Sequence, residues 1–240
     1  MSLTPAHEDG SRLERLVLFD IDGTLLECGR QTRPPFAAAL TEVFGTTGDL
    51  DGYEFSGCTD PQAVLELMTA AGFSAAEVKA RLPRMRELYL AGLEGTLDRR
   101  GMRLLPGAAA LLEGLASRAD LALALLTGNW EPGARTKLSR FDLNRFFAFG
   151  AFGCDGIRRS ELPPVALARA ADRLERRFRP DEALIVGDSV HDISCGHDHG
   201  IPVLAVATGR TPAQALRSAG ADWVVPDLAA ARQLLPWLGG

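Results

Sequence analysis

Lysine is almost missing from this chain. Lys79 and Lys137 are the only two in 240 residues, and the net charge is −5 at pH 7. Such a balance gives no general attraction to nucleic acid or to an anionic membrane. Any phosphate the protein handles must therefore be met by local cations or a metal. Cysteine is scarce too. Cys28, Cys58, Cys154 and Cys195 are scattered, with no C-x-x-C pair, and read as small buried thiols in a reducing compartment. No apolar run approaches the about 20 residues of a membrane span. Residues 1–15 carry His7, Glu8 and Asp9 and no apolar segment of the secretory type. Repeats and low-complexity tracts are also lacking. These absences lead us to expect a cytoplasmic protein with neither nucleic-acid nor membrane partners.

What is present is a folded chain of ordinary composition, 46% hydrophobic and 24% charged, long enough for one large domain or a core with an insert. Strand-like apolar runs recur at Leu16–Phe19, Leu121–Leu126, Phe147–Phe149, Leu184–Val186, Val203–Ala207 and Trp223–Val225. Several are apolar on both faces, as parallel strands covered by helices are. Helical stretches alternate with them: Gly107–Arg118, Pro132–Phe141, Pro163–Phe178, Ser189–Gly200, Pro212–Ala219 and Leu228–Leu238. This alternation predicts an α/β core with a doubly wound parallel sheet. From about Gln31 to Arg103 the pattern breaks. Pro35–Phe44, Pro61–Ala71 and Ala75–Gly92 read as helices, with no convincing strand between them. The expected organisation is a core of residues 14–30 and 103–240, an inserted helical domain of 31–102, and a loose N-terminal tail of 1–13.

Three segments carry chemistry. The first is Asp20-Ile21-Asp22-Gly23-Thr24, directly after the strand-like Leu16–Phe19. Alternation puts Asp20 and Asp22 initially on one face, and Gly23 permits a sharp turn. The second is Thr127-Gly128-Asn129 after Leu126: a hydroxyl, and a glycine that allows close backbone approach, suit a phosphate oxygen, although the same triplet is ordinary turn chemistry. The third is Gly187-Asp188-Ser189-Val190-His191-Asp192. Asp188 falls at a strand tip and Asp192 in a first helical turn, where an acid is also favoured by the helix dipole. Asp20, Asp188 and Asp192 together would make an oxygen-rich pocket of the kind Mg²⁺ prefers.

In order, spacing and position at strand ends, these segments resemble motifs I, II and IV of the haloacid dehalogenase-like hydrolases. The insert resembles in position and kind that family's C1 cap. Phe55-Ser56-Gly57-Cys58-Thr59-Asp60 within it is similar to a segment of phosphoglycolate-phosphatase-like members. The resemblance implies a Rossmann-like core and a role for each matched residue. Asp20 would be the nucleophile that forms an aspartyl-phosphate. Asp22 would protonate the leaving oxygen and then activate water, its backbone carbonyl also reaching the metal. Thr127 would bind phosphoryl oxygens, with Gly128, Asn129 and Thr59 beside the substrate. Asp188 would bind Mg²⁺, and Asp192 would bind it directly or through water, or orient its shell. Asp22 separates this pattern from dehalogenation, because a departing halide needs no proton donor and an alkoxide does.

One departure concerns the third motif, where the family usually carries Lys, sometimes Arg. Here the segment is Arg158-Arg159-Ser160-Glu161-Leu162-Pro163-Pro164, and neither lysine falls in it. Counting back from the prolines, Arg159 matches best and Arg158 is the reserve; solvated surface charge is the competing reading for both. Lys137 reads as a solvated helix face and Lys79 as part of an amphipathic helix. His191 reads as rimming the pocket, and the two-residue spacing of His197 and His199 argues against a zinc pair. The expected function is a Mg²⁺-dependent phosphatase for a small phosphorylated metabolite, with phosphoglycolate the first substrate to test. A phosphomutase of the same superfamily and a non-catalytic binding module on the same fold are the alternatives.

Overall fold

The computed structural model describes residues 13–231. The expected tail lies almost wholly outside them, as does the end of the expected last helix. In chain order the elements are β1 (Arg15–Phe19), β2 (Leu26–Glu27), α1 (Arg33–Phe44), α2 (Asp60–Ala70), α3 (Ala75–Thr96), β3 (Arg103–Leu104), α4 (Ala108–Ala116), β4 (Leu121–Leu126), α5 (Glu131–Ser139), β5 (Gly150–Ala151), α6 (Leu162–Leu174), β6 (Ala183–Gly187), α7 (Val190–His197), β7 (Val203–Val206), α8 (Ala213–Ser218), β8 (Trp223–Val225) and α9 (Leu228–Ala231).

Six strands form one parallel sheet in the order β5-β4-β1-β6-β7-β8. Strand β1 is central, and the sheet grows outward from it in both directions, the doubly wound pattern whose crevice lies at the strands' carboxyl ends. Its side chains divide by alternation. Val17 and Phe19 join the core cluster that includes α1, α2 and α3, whereas Leu16 and Leu18 join the cluster on the opposite face with α6 and α7. All four are fully buried, which explains a strand with no polar face.

Helices α1, α2 and α3 lie between β2 and β3, which pair with each other in a small antiparallel ribbon. Local chemistry starts and stops each of the three. Helix α1 has proline in its first turn and ends at Gly45, with φ +75°. Helix α2 is capped by Thr59, whose side chain accepts from the Gln62 amide. Helix α3 begins with a reciprocal capping box between Ser74 and Glu77 and continues through Pro83 to Thr96, past the expected end.

Among the other boundaries that differ from the sequence reading, two have a clear physical cause. The strand expected at Phe147–Phe149 lies at Gly150–Ala151. Phe147 is a core side chain that meets the Phe19 ring edge-on at 5.9 Å. Gly150 is the strand residue because β4 passes too close for a side chain: a Cβ there would fall 2.6 Å from the Leu125 Cβ. Helix α6 stops at Leu174 rather than Phe178, because Glu175 adopts a left-handed conformation at φ 52°. Among the thiols, Cys28 and Cys195 are buried as expected; Cys58 is half-buried and Cys154 exposed, so the uniform burial expected of the four does not hold.

Candidate active site

The carboxyl ends of β1, β4 and β6 converge on a cavity of about 450 Å³. Asp20, Asp22, Thr127, Gly128, Asn129, Arg159 and Asp188 all line it. Asp20 follows β1 directly, and its backbone amide donates to the Val186 carbonyl at 2.9 Å, which extends the sheet to the site.

Asp20, Asp188 and Asp192 form the acidic centre. All three are buried, and one carboxylate oxygen from each lies within 4.8 Å of the others. The space for them is made by glycines. A Cβ on Gly23 (φ +84°) would stand 2.4 Å from Asp188 Oδ2, one on Gly209 1.6 Å from the same atom, and one on Gly187 2.1 Å from the Asp192 carboxyl carbon. Burial drives the Asp188 carboxyl up to about 8, with the Asp20 and Asp192 charges adding to the effect. Burial likewise raises Asp20 to about 6, against the opposing pull of Arg159. These hard oxygen donors, crowded and incompletely neutralised, fit a divalent cation.

Arg159 sits in a 3-10 turn before α6 and is 5% exposed. Its Nη2 lies 3.1 Å from Asp20 Oδ1, pairs with Asp192 Oδ1 and donates to the Leu126 carbonyl at 3.2 Å. Burial alone would lower its pKa; Asp192 and Asp20 reverse that and push it up. Arg159 Nε is buried without an acceptor. Arg158 is exposed, so the structure places the first-choice arginine, and not the reserve, against the acids. Asp192 has both oxygens engaged, Oδ1 by Arg159 and Oδ2 by the Ser189 amide and hydroxyl at 3.1 and 2.6 Å. It therefore braces Arg159 and the start of α7 in addition to facing Asp20.

Asp22 has a different environment. Its carboxylate is 42% exposed and its Oδ2 accepts from Lys137 Nζ at 2.6 Å and from Asn129 Nδ2 at 2.7 Å. Lys137 Nζ also donates to Asn129 Oδ1 at 2.6 Å, and Asn129 Nδ2 to Thr127 Oγ1 at 2.8 Å. The expectation of a solvated Lys137 is thus corrected: it is 4% exposed. Burial would depress its pKa, but the surrounding charges, Asp22 foremost, drive it up instead. Periodicity held a clue, since Lys137 falls three residues after Ala134 and one before Leu138, both buried; its partner, 115 residues away, is not visible in any local window.

Two other expectations change. Thr59 is fully buried and its hydroxyl donates to the Ile157 carbonyl while accepting from the Gln62 amide at 3.1 Å. It fixes the loop and α2 and has no hydroxyl left to offer a substrate. Gly128 does line the cavity, but a Cβ on it would meet the Cys58 carbonyl oxygen at 2.1 Å. Close approach at Gly128 is by the insert's own loop, which also anchors through the Asp60 amide to the Gly128 carbonyl and the Trp130 amide to Asp60 Oδ2, both 2.8 Å. Burial raises the Asp60 carboxyl to about 6. Trp130 is buried against Tyr89 of α3. His191 does not line the cavity: it is exposed, and the loop at Gly57 packs on it. His197 pairs with Asp222, and His199 with the Ser160 carbonyl.

The far wall comes from the insert and its connection. Arg30, Arg33, Phe36, Phe55 and Tyr89 line it, and Arg33 is held by the Leu50 and Tyr53 carbonyls at 2.8 and 3.2 Å. Arg210 of the core pairs with Glu54 of the insert across the mouth. No helix among the described residues is long and apolar enough to cross a membrane.

Known proteins resemble this chain in sequence and in fold. The chain is 28% identical over 198 residues to tyrosine-protein kinase PtkA of Mycobacterium tuberculosis, a match spanning 81% of this chain but only 62% of the relative. It is 28% identical to phosphoglycolate phosphatase of Rhodospirillum rubrum over 95% of this chain and 92% of the relative. A predicted phosphatase from Clostridium acetobutylicum superposes with a TM-score of 0.71 at 20% identity, covering 94% of this chain and all of that one. The family model for haloacid dehalogenase-like hydrolases matches residues 17–197, and the chain belongs to that family.

Proposed function

We propose that the protein is a Mg²⁺-dependent phosphatase of a small phosphorylated metabolite, working through a phosphoryl group carried on Asp20. The observation that carries the reading is the divided environment of the two acids of β1's tip. Asp20 is buried between Arg159 and two further carboxylates, whereas Asp22, two residues on, is half open to the cavity and tied to Lys137. One is placed to attack, the other to exchange a proton with a leaving group. The relatives are named for a kinase and for phosphatases, and both activities move a phosphoryl group.

Asp20, Asp188 and Asp192, with the Asp22 backbone carbonyl, would hold the cation; when bound, it supplies positive charge that reduces repulsion between carboxylate and phosphate. In the first displacement an Asp20 oxygen attacks phosphorus. The ester P–O bond breaks, its electron pair goes to the leaving oxygen, and Asp22 gives that oxygen its proton. In the second, water attacks the phosphorus and gives a proton to Asp22. The bond to Asp20 breaks, restoring both residues and releasing inorganic phosphate. Arg159, already against Asp20, stabilises charge on the equatorial oxygens, and its Nε has a free N–H to offer. Thr127 accepts from Asn129 and so keeps its own hydroxyl hydrogen for a phosphoryl oxygen. The insert acts as the cap. Its loop, seated on Gly128 and joined to the core by Glu54 and Arg210, closes the site to bulk water and selects the leaving group.

Phosphoglycolate is the first substrate to test, because the phosphatase relative covering almost the whole chain carries that name. The test is phosphate release from a panel of small phosphate esters, with Mg²⁺ and with chelator. Asp20→Asn should abolish release while leaving the circular-dichroism spectrum unchanged. Wild-type-like turnover in that variant would remove Asp20 as the nucleophile.

A further inference from the structure

Lys137 is the one lysine the fold buries, and its charge is spent on a residue from a different strand tip. Its Nζ reaches Asp22 Oδ2 at 2.6 Å and Asn129 Oδ1 at 2.6 Å, and Asn129 Nδ2 returns to the same Asp22 oxygen at 2.7 Å. Asn129 is fixed in turn by Thr127 Oγ1. The three side chains close a ring of donors and acceptors on one oxygen of Asp22. An oxygen that accepts from an ammonium and an amide has its lone pairs engaged. It is a poor place for the proton that a leaving group must receive. The other oxygen, Oδ1, is tied to neither Lys137 nor Asn129; the Cys28 thiol also stands within hydrogen-bond reach of this carboxyl, and the carboxylate as a whole lines the cavity.

We propose that Lys137, with Asn129, is a positioning residue for proton transfer: it pins Asp22 by Oδ2 so that Oδ1 alone carries the proton to and from the reacting oxygens. Swinging freely, a carboxyl at a loop tip would spend little time in the productive orientation; held on one oxygen, it has one rotational state to offer. The anchor is rigid because Lys137 projects from α5, whose Ala134 and Leu138 are locked in the core. The inference rests on the phosphatase reading and adds to it the residue that orients the proton carrier.

Leaving groups separate this role from a structural one. An alkoxide cannot depart without a proton, whereas p-nitrophenolate can. The ratio kcat/KM reports the steps through departure of the leaving group, so it isolates the first displacement. Measured with Mg²⁺, Lys137→Met should lose on the order of 10- to 100-fold in kcat/KM for 2-phosphoglycolate and less than about threefold for p-nitrophenyl phosphate. Asp22→Asn should lose more than Lys137→Met on 2-phosphoglycolate, and the double variant should lose no more on that ester than Asp22→Asn alone. If Lys137→Met does not fold, Lys137→Gln, which keeps a donor at shorter reach, should show the split in milder form. Equal losses on both esters, or additive losses in the double variant, would overturn the role of Lys137 while leaving the phosphatase reading standing. If another alkyl ester of the panel is the better substrate, it takes the place of 2-phosphoglycolate in the comparison; a wild-type protein that releases phosphate from no ester of the panel would overturn both.

Discussion

Removing Arg159 should be the most damaging single change outside the nucleophile, and its cost should depend on pH. One guanidinium serves two carboxylates, at 3.1 Å from Asp20 and in direct contact with Asp192, and all three are buried. Taking away one partner of a buried ion pair costs about 3–5 kcal/mol, because a charge is left uncompensated. Arg159→Met leaves two. The protein can escape part of that cost by protonating Asp20, which burial already raises to about 6 with Arg159 holding it down; without the arginine it rises further. Below that range Asp20 is neutral and Asp192 alone has lost its partner; above it the Asp20 carboxylate must either take up a proton or stand unpaired as well. The destabilisation should therefore be larger at about pH 8 than at about pH 5, reaching about 3–5 kcal/mol in metal-free urea unfolding at the higher pH. Arg158→Met, at an exposed position, should stay within about 0.5 kcal/mol throughout. Activity should fall about 10²–10³-fold for Arg159→Met, the usual loss when a fixed donor to a developing anion is removed. A variant within about 1 kcal/mol of wild type at the higher pH, or an Arg158 effect equal to it, would refute the reasoning.

Metal and pH should be linked in the same direction. Asp188 rises from 3.8 to about 8 and Asp20 from 3.8 to about 6 on folding, so the stability these groups contribute is present below their unfolded value and is lost as pH rises through the folded ones. Mg²⁺ should relieve that loss, raising Tm more at about pH 8 than at about pH 5; a shift that is flat or reversed with pH would take the cation away from this cluster. Gly128→Ala should unseat the insert's loop, since its Cβ would meet the Cys58 carbonyl at 2.1 Å. We expect about 1–3 kcal/mol of destabilisation from overpacking and a fall in phosphate release, and a variant of wild-type Tm and activity would show that the loop is not held there.

What the sequence determined by itself was everything that is local. Apolar runs too short for helices and lacking a polar face could only be strands buried on both sides, and β1, β4, β6, β7 and β8 lie within a residue of where they were read. Acids that directly follow such a strand must emerge at its carboxyl end, so Asp20 and Asp188 were legible as a pair before their strands were known to be neighbours. The helix starts expected at Pro35 and Ala75 lie within two residues of the observed Arg33 and Ala75.

Only the tertiary structure decided which groups share a surface. Gly150 became a strand because β4 crowds it, and Phe147, the better strand former, became core. Thr59 lost its hydroxyl to the Ile157 carbonyl 98 residues away, and Gly209, with no motif around it, proved to be where Asp188 needs room. Lys137 shows the reason most plainly. A lysine on a helix is solvated unless something distant compensates its burial, and here that compensation comes from Asp22 at the tip of another strand. Side-chain type and spacing fix what a segment tends to form; the sign and distance of a partner far along the chain fix what a charged residue in it does.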